Sequence, residues 1–450
     1  MDGLPSLRQQ LRVSPIDDIG EELGDSRAAY NLLKYIKQIG AATVVIEDNY
    51  IDVDYLTDFS NYHSYLFENV PKCTKRFHLF SGIFKNDKLE YLLNTYSNNQ
   101  DKIKDFLGNY LGFFILKPFK QINGYSSPIG RSLLCIPEKS DSCRYAIDNY
   151  QATFYGHPFK IETLPFQTKD HAVGLCATVS LWVLTKKMSK IFKTPLMSPY
   201  EITKIATEYV EPSRNTPYDG LTSRQMLTFF KAIKVDYNII DIQSTLAGSL
   251  APETFVTDVI KAFIYSAKLP LVANLGLMRK NEQEDFHSVV ICGYKQNKKG
   301  KICKLFIHDD AIGPFTQVID ASSNGFAFSE WHYDWRWKYK EDEEEPYDEI
   351  RLIRLLVPFN PSIRLSFNEI YFNKYLSFKQ EERNAELYLT TVAKYKKKIL
   401  NSDCKDKLRV LEKAMPRFLW IISLAIDNKP NDVVYDATSH YIRRINEIRY

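Results

Sequence analysis

A chain of 450 residues is too long for one ordinary core, and at about 100–200 residues per domain it predicts two to four units. Hydrophobic residues at 44% and aromatics at 14% supply enough apolar surface to exclude wholesale disorder. The 59 basic against 55 acidic side chains leave a net charge of +4, too near balance for a nucleic-acid-binding stripe.

The seven cysteines, at 73, 135, 143, 176, 292, 303 and 404, are odd in number and form no CxxC pair. That argues against a disulfide framework or zinc ribbon and for a reducing compartment. The opening MDGLPSLRQQLRVSP lacks an apolar h-region, and no window approaches about 18 uncharged apolar residues. The expectation is a cytoplasmic, multi-domain protein with no membrane contact.

In chain order, SRAAYNLLKYIKQI (26–39) reads as an amphipathic helix, with Leu32, Leu33, Ile36 and Ile39 on one face. AATVVIEDNYID and YLGFFILKPF (110–119) are β-rich runs, and INGYSSPIGRSLLCIP reads as a loop leading to a further strand. Residues 1–150 are expected to form an α/β N-terminal domain of unassigned fold. Residues 175–192 predict a helix. SPYEITKIATEYV begins with Ser198 as N-cap before Glu201, and TSRQMLTFFKAI begins with Thr222 or Ser223 as cap. TFVTDVIKAFIYSA adds a fourth helix. LPLVANLGL (269–277), HSVVICGYK (287–295) and KLFIHDD (304–310) then read as three successive strands, the latter two joined by the turn YKQNKKGK. Beyond 330 come an aromatic cluster with Trp331, Trp335 and Trp337, an acidic run at Glu341–Glu345 and the strand RLIRLLVPF. A mostly helical, Lys-rich tail is expected from about 366.

Three residues carry the chemistry. Cys176 opens a helix, where the N-terminal dipole and a neighbouring imidazolium both favour a thiolate. His287 opens a strand, a rigid platform for the imidazole, and its strand alternates His287, Val289 and Ile291 against Ser288, Val290 and Cys292. A carboxylate closing the next strand, Asp309 or Asp310, could hold the ring in the useful tautomer. By contrast, GxxxxGKS, GxGxxG and HExxH are absent, so nucleotide, dinucleotide and zinc-peptidase chemistries lack support. The His308-Asp309-Asp310 turn has no second ligand cluster beside it, and neither metal nor cofactor is expected. Cys135 and Cys143 have no histidine in easy register.

The order of Cys-helix, helical segment, His-strand and Asp-strand resembles the papain-like cysteine peptidase superfamily, closest in style to the bacteriocin-processing (C39-like) peptidases. The matching pieces are Gln167, Cys176-Ala177, HSVVICGY at 287–294 and FIHDDAIGPF at 306–315, covering about 160–320. The resemblance implies an α+β fold, with a papain-like domain at 151–330 whose Cys helix packs on an antiparallel sheet. A strand plus helical C-terminal extension would occupy 331–450. It also implies a cysteine peptidase that hydrolyses a peptide or isopeptide bond through an acyl-thioester. In that reading Cys176 is the nucleophile, His287 the base and acid, and Asp309 the residue orienting the ring. Gln167 and the Cys176 backbone stabilise the oxyanion.

Two departures stand beside it. The family's glutamine lies closer to the cysteine, where this chain has Asp170, and Gln167 sits nine residues ahead. His171 is another donor available to the oxyanion. The family's aspartate is usually followed by proline, here replaced by Asp309-Asp310, of which Asp309 matches better. The same triad also serves transglutaminases and acyltransferases, and without turnover it makes a pseudo-peptidase that binds a peptide or protein tail. The expected partner is a peptide or protein substrate, with residues 1–150 or the Trp331, Trp335 and Trp337 face available to a partner protein.

Overall fold

The computed structural model describes residues 12–67, 69–98, 100–118, 128–170, 175–212, 220–242, 252–280, 282–319, 332–333, 349–380, 385–404, 406–426 and 429–449. Trp331, Trp335, Trp337, Glu341–Glu345 and His171 lie outside them.

The chain mixes helices and antiparallel sheets, an α+β architecture. At its centre is an eight-stranded sheet built largely from the late half of the sequence. Its order runs His332–Tyr333, Gly313–Ile319, Ile302–Asp309, Glu282–Gln296, Leu271–Arg279, Glu349–Phe359 and Asp236–Asp241, with Cys143–Tyr145 added beside Glu282–Gln296. The strand expected at RLIRLLVPF is therefore an interior member of this sheet, pairing on both sides.

Alternation along Glu282–Gln296 sends its side chains into two different cores. Val289 and Ile291 face the helix Pro252–Ile264 through Phe255, Val259 and Phe263. Val290 and Cys292 join Leu181, Trp182, Leu184 and Met188 of the helix Cys176–Ile191. This second core also takes in Val44, Phe77 and Phe114, from a five-stranded sheet formed by Arg12–Pro15, Thr43–Tyr50, Thr74–Phe80, Tyr110–Leu116 and Leu133–Leu134. Residues on both sides of position 150 thus share one buried layer.

Local signals explain the helix starts. Ser26 accepts from the Ala29 N–H ahead of Arg27–Gln38. Ser198 with Glu201 and Thr222 with Gln225 form complete capping boxes, so Thr222 and not Ser223 is the cap.

The tail departs from expectation. Instead of being mostly helical, it carries a four-stranded antiparallel sheet of Ala385–Thr391, Phe418–Ile426, Lys429–Asp436 and Arg444–Arg449. The lysines that suggested helix are concentrated in one short helix, Val392–Leu400. FLWIISLAI and DVVYD are β-branched and aromatic runs, and Leu387, Trp420, Ile422 and Val433 turn one face into the core around the helix Pro252–Ile264, where Trp420 packs on Phe263. Burial of that face decides the structure over the charge of the surface residues. Among the described residues no helix is long and apolar enough to cross a membrane.

Candidate active site

Cys176 is the first residue of its helix, and it is a free, half-buried thiol. Leu175 occupies the N-cap and offers no side-chain oxygen, and the first turn contains no acidic residue. The N–H groups and dipole of this turn are therefore left to act on the sulfur rather than on a capping carboxylate. The helix is held rigidly. Leu181, Trp182, Leu184 and Met188 are fully buried, Trp182 Nε1 donates to Asp54 at 3.1 Å, and Lys186 Nζ lies 2.7 Å from the same carboxylate. Ser180 Oγ donates to the Ser288 carbonyl at 3.1 Å, which ties the helix to the strand one residue past His287.

His287 meets the thiol and a carboxylate at once. Its Nε2 is 3.0 Å from Asp309 Oδ1, and Cys176 lies close enough to act on the ring's protonation. With Nε2 committed to Asp309, the nitrogen left for sulfur is Nδ1. Burial alone would favour the neutral ring, but the charge and hydrogen bond of Asp309, then the Cys176 contact and the Asp310 charge, outweigh it. They hold the His287 pKa well above the ordinary imidazole value. Asp309 itself is buried, and its Oδ1 also accepts from the Ala311 N–H at 2.9 Å, so the turn beyond the strand fixes the carboxylate.

The preference for Asp309 over Asp310 follows from the strand. The pairing register shifts between Ile307 and Asp309, and Asp309 closes the ladder opposite Gly313. Asp310 comes next and still approaches His287 Nε2, at 3.8 Å. It is buried, neither of its oxygens has a hydrogen-bond partner among the described residues, and burial pushes its pKa up to about 6 against the pull of His287. Sequence reasoning treated Asp310 only as an alternative to Asp309. Both carboxylates adjoin the ring, a pairing that the doubled Asp-Asp signals.

His308 belongs to the scaffold. Its Nε2 donates to the Leu164 carbonyl at 3.1 Å, and its Nδ1 accepts from the Phe315 N–H at 3.1 Å. Burial holds it neutral, with a pKa down at about 4. Its ring also packs edge-on against Phe166.

Through these contacts Leu164 and Phe166 adjoin His308. Backbone bonds from Phe166 to Ser132 and from Thr168 to Ile129 also fix this stretch. Gln167 is 2% exposed, and its Nε2 has no hydrogen-bond partner among the described residues. A buried amide N–H₂ without an acceptor costs free energy unless something arrives to accept from it. Asp170, nearer to Cys176 in sequence than Gln167, is locked in a buried ion pair with Lys117 at 2.8 Å.

The remaining candidates are separate from this centre. Cys143 is buried and contacts Ser140, Cys292 is buried and donates to the Phe306 carbonyl, and Cys303 is half-buried near the Lys295 carbonyl.

In chemical terms the centre holds a thiol at a helix start, an imidazole able to take and return its proton, and a carboxylate fixing that imidazole's tautomer. No protein-family model and no curated protein sequence matches this chain.

Proposed function

We propose that residues 151–330 act as a papain-like thiol hydrolase, cleaving a peptide or isopeptide bond with Cys176, His287 and Asp309. The observation that carries this reading is the unbroken chain of contacts from the Cys176 thiol through the His287 ring to the Asp309 carboxylate. Three side chains far apart in sequence converge with the donor and acceptor roles that acyl transfer needs.

The proposed steps use these groups in turn. His287 Nδ1 accepts the Cys176 proton while Nε2–H donates to Asp309, which stabilises the imidazolium without taking its proton. The sulfur attacks the carbonyl carbon, and the oxyanion that forms accepts from the Cys176 backbone N–H and from the unpaired Gln167 amide. Collapse breaks the C–N bond as His287 gives its proton to the departing amine, leaving an acyl-thioester on Cys176. Water, deprotonated by the same imidazole, then releases the carboxylic acid and the free thiol.

The test uses an activated acyl ester, p-nitrophenyl acetate, with intact-mass and peptide mapping of the full chain. A stoichiometric release of p-nitrophenol with one acetyl group on Cys176, absent in Cys176→Ala, supports the reading. Cleavage of a peptide library by wild type but not Cys176→Ala then separates hydrolysis from a cleft that only binds. Acetylation spread over other residues, or none at Cys176, refutes it.

A further inference from the structure

We propose that His287, Asp309 and Asp310 form a binding site for a divalent cation of the zinc type, and that filling it switches the Cys176 thiol off. The binding half stands on geometry alone; the switching half rests on the proposed role of Cys176 and His287.

One ligand atom from each of the three residues lies within 4.8 Å of the others. His287 Nε2 is 3.0 Å from Asp309 Oδ1 and 3.8 Å from Asp310 Oδ1. Ligands of a tetrahedral zinc at its usual bond lengths of about 2.0–2.2 Å stand roughly 3.3 Å apart, a value these two separations bracket.

Asp310 supplies the second, independent observation. It is 3% exposed, aims at the same nitrogen as Asp309, and neither of its oxygens has a hydrogen-bond partner among the described residues. Buried carboxylates are ordinarily paired, hydrogen-bonded or ligated to metal. The hydrolytic cycle uses only Asp309, so the cycle gives this second carboxylate no task.

Two carboxylates and a bound dication sum to zero charge, whereas the same pair with an imidazolium leaves one negative charge uncompensated. Lys169 acts on Asp310 from the side and is the nearby charge that opposes a cation. An imidazole with two buried carboxylates in a confined space suits zinc better than magnesium, which keeps several waters.

The consequence for the thiol follows from proton accounting. A cation on Nε2 occupies that nitrogen's lone pair, so the neutral ring can carry its single proton only on Nδ1, to which it passes from Nε2 through solvent. Nδ1 then has no lone pair with which to accept the proton of Cys176. Nothing is oxidised or reduced, and chelation restores the original state.

The test uses the full chain, stripped with chelator and titrated with ZnCl₂ by calorimetry and with Co²⁺ by visible absorbance. A Cys176→Ser background removes the thiol as a ligand. One saturable site is expected, at least tenfold weaker in Cys176→Ser/Asp310→Asn, an isosteric change that also removes an uncompensated buried charge. Equal affinity in that variant, or no stoichiometric site, overturns the proposal. In wild type, Zn²⁺ should slow iodoacetamide alkylation of Cys176 at least tenfold, with EDTA reversing the effect. Asp310-dependent binding that leaves alkylation unchanged overturns the switching half. Asp310-dependent binding in a protein whose Cys176 alkylation never depended on His287 keeps the metal site and sinks the hydrolase reading.

Discussion

Replacing Asp309 with Asn tests the electrostatic heart of the site. The substitution keeps an oxygen able to accept from His287 Nε2–H, now 3.0 Å from Asp309 Oδ1, but removes the charge. A hydrogen bond to a charged group is worth about 1.5–3 kcal/mol, against roughly 1 for a neutral pair. Losing the charge should therefore lower the His287 pKa by the equivalent of about 0.5–2 kcal/mol, the difference between the two. Asp310, at 3.8 Å, limits the fall.

The readout is the pH titration of the histidine Cε1 carbons by NMR, with the His287 signal among eight histidines assigned from His287→Gln. The sign for stability follows from the raised value. A raised imidazole pKa means that folding favours the charged ring, so its stabilising contribution is full below the ordinary value of about 6.5. It is lost as pH rises through the folded-state value. The Asn variant should therefore be less stable than wild type in mild acid and converge with it in alkali. Identical His287 titrations in the two proteins, or a wild-type ring titrating at or below its ordinary value, would refute the reasoning.

Other substitutions bear on neighbouring parts of the account. Gln167→Ala should slow acylation of Cys176 by about 10²–10³, the usual loss for one oxyanion donor, while alkylation by iodoacetamide, which builds no oxyanion, stays unchanged. Equal acylation rates would remove Gln167 from the site. Asp58 is buried with Oδ2 unpaired, and burial, opposed by Lys117 and aided by Asp170, pushes its pKa up to about 7. Asp58→Asn, which retains an acceptor for the Tyr200 N–H, should stabilise the fold by up to roughly 4 kcal/mol above pH 7. Its gain should vanish below about pH 4, where the carboxyl is neutral in both states; urea unfolding at pH 4, 6 and 8 measures it. A Cβ at Gly293 would sit 2.5 Å from Tyr145 Cδ1 and 2.8 Å from the Arg144 carbonyl. Gly293→Ala should accordingly cost about 1–3 kcal/mol of stability, and a neutral effect would contradict the pairing of Cys143–Tyr145 with this strand.

Much of the site was legible because its signals are local. The helix start at Cys176 and the strand end at Asp309 each follow from period and punctuation, whereas the strand expected to open at His287 begins at Glu282 and carries His287 within it. The glycine of HSVVICGY also has a physical cause, since the Tyr145 ring lies where its side chain would be. What local pattern could not supply was three-dimensional. Asp310 reads as half of an ambiguous pair until the bend past Asp309 brings both carboxylates to one ring. The Lys117–Asp170 pair joins residues 53 positions apart and shows only once the N-terminal layer packs on the Cys176 helix. The C-terminal sheet was missed because the lysine cluster of AKYKKK draws the eye to a helix, while the burial of Trp420 and its neighbours decides structure.

The most direct test is competitive alkylation of the native chain with limiting iodoacetamide at pH 6, each of the seven cysteines being quantified by peptide mapping. Cys176 should react well ahead of Cys73, Cys135 and Cys303, which are also only half-buried, and should lose that lead in His287→Ala. A Cys176 that reacts no faster than those three, or whose lead survives removal of the imidazole, would contradict the account.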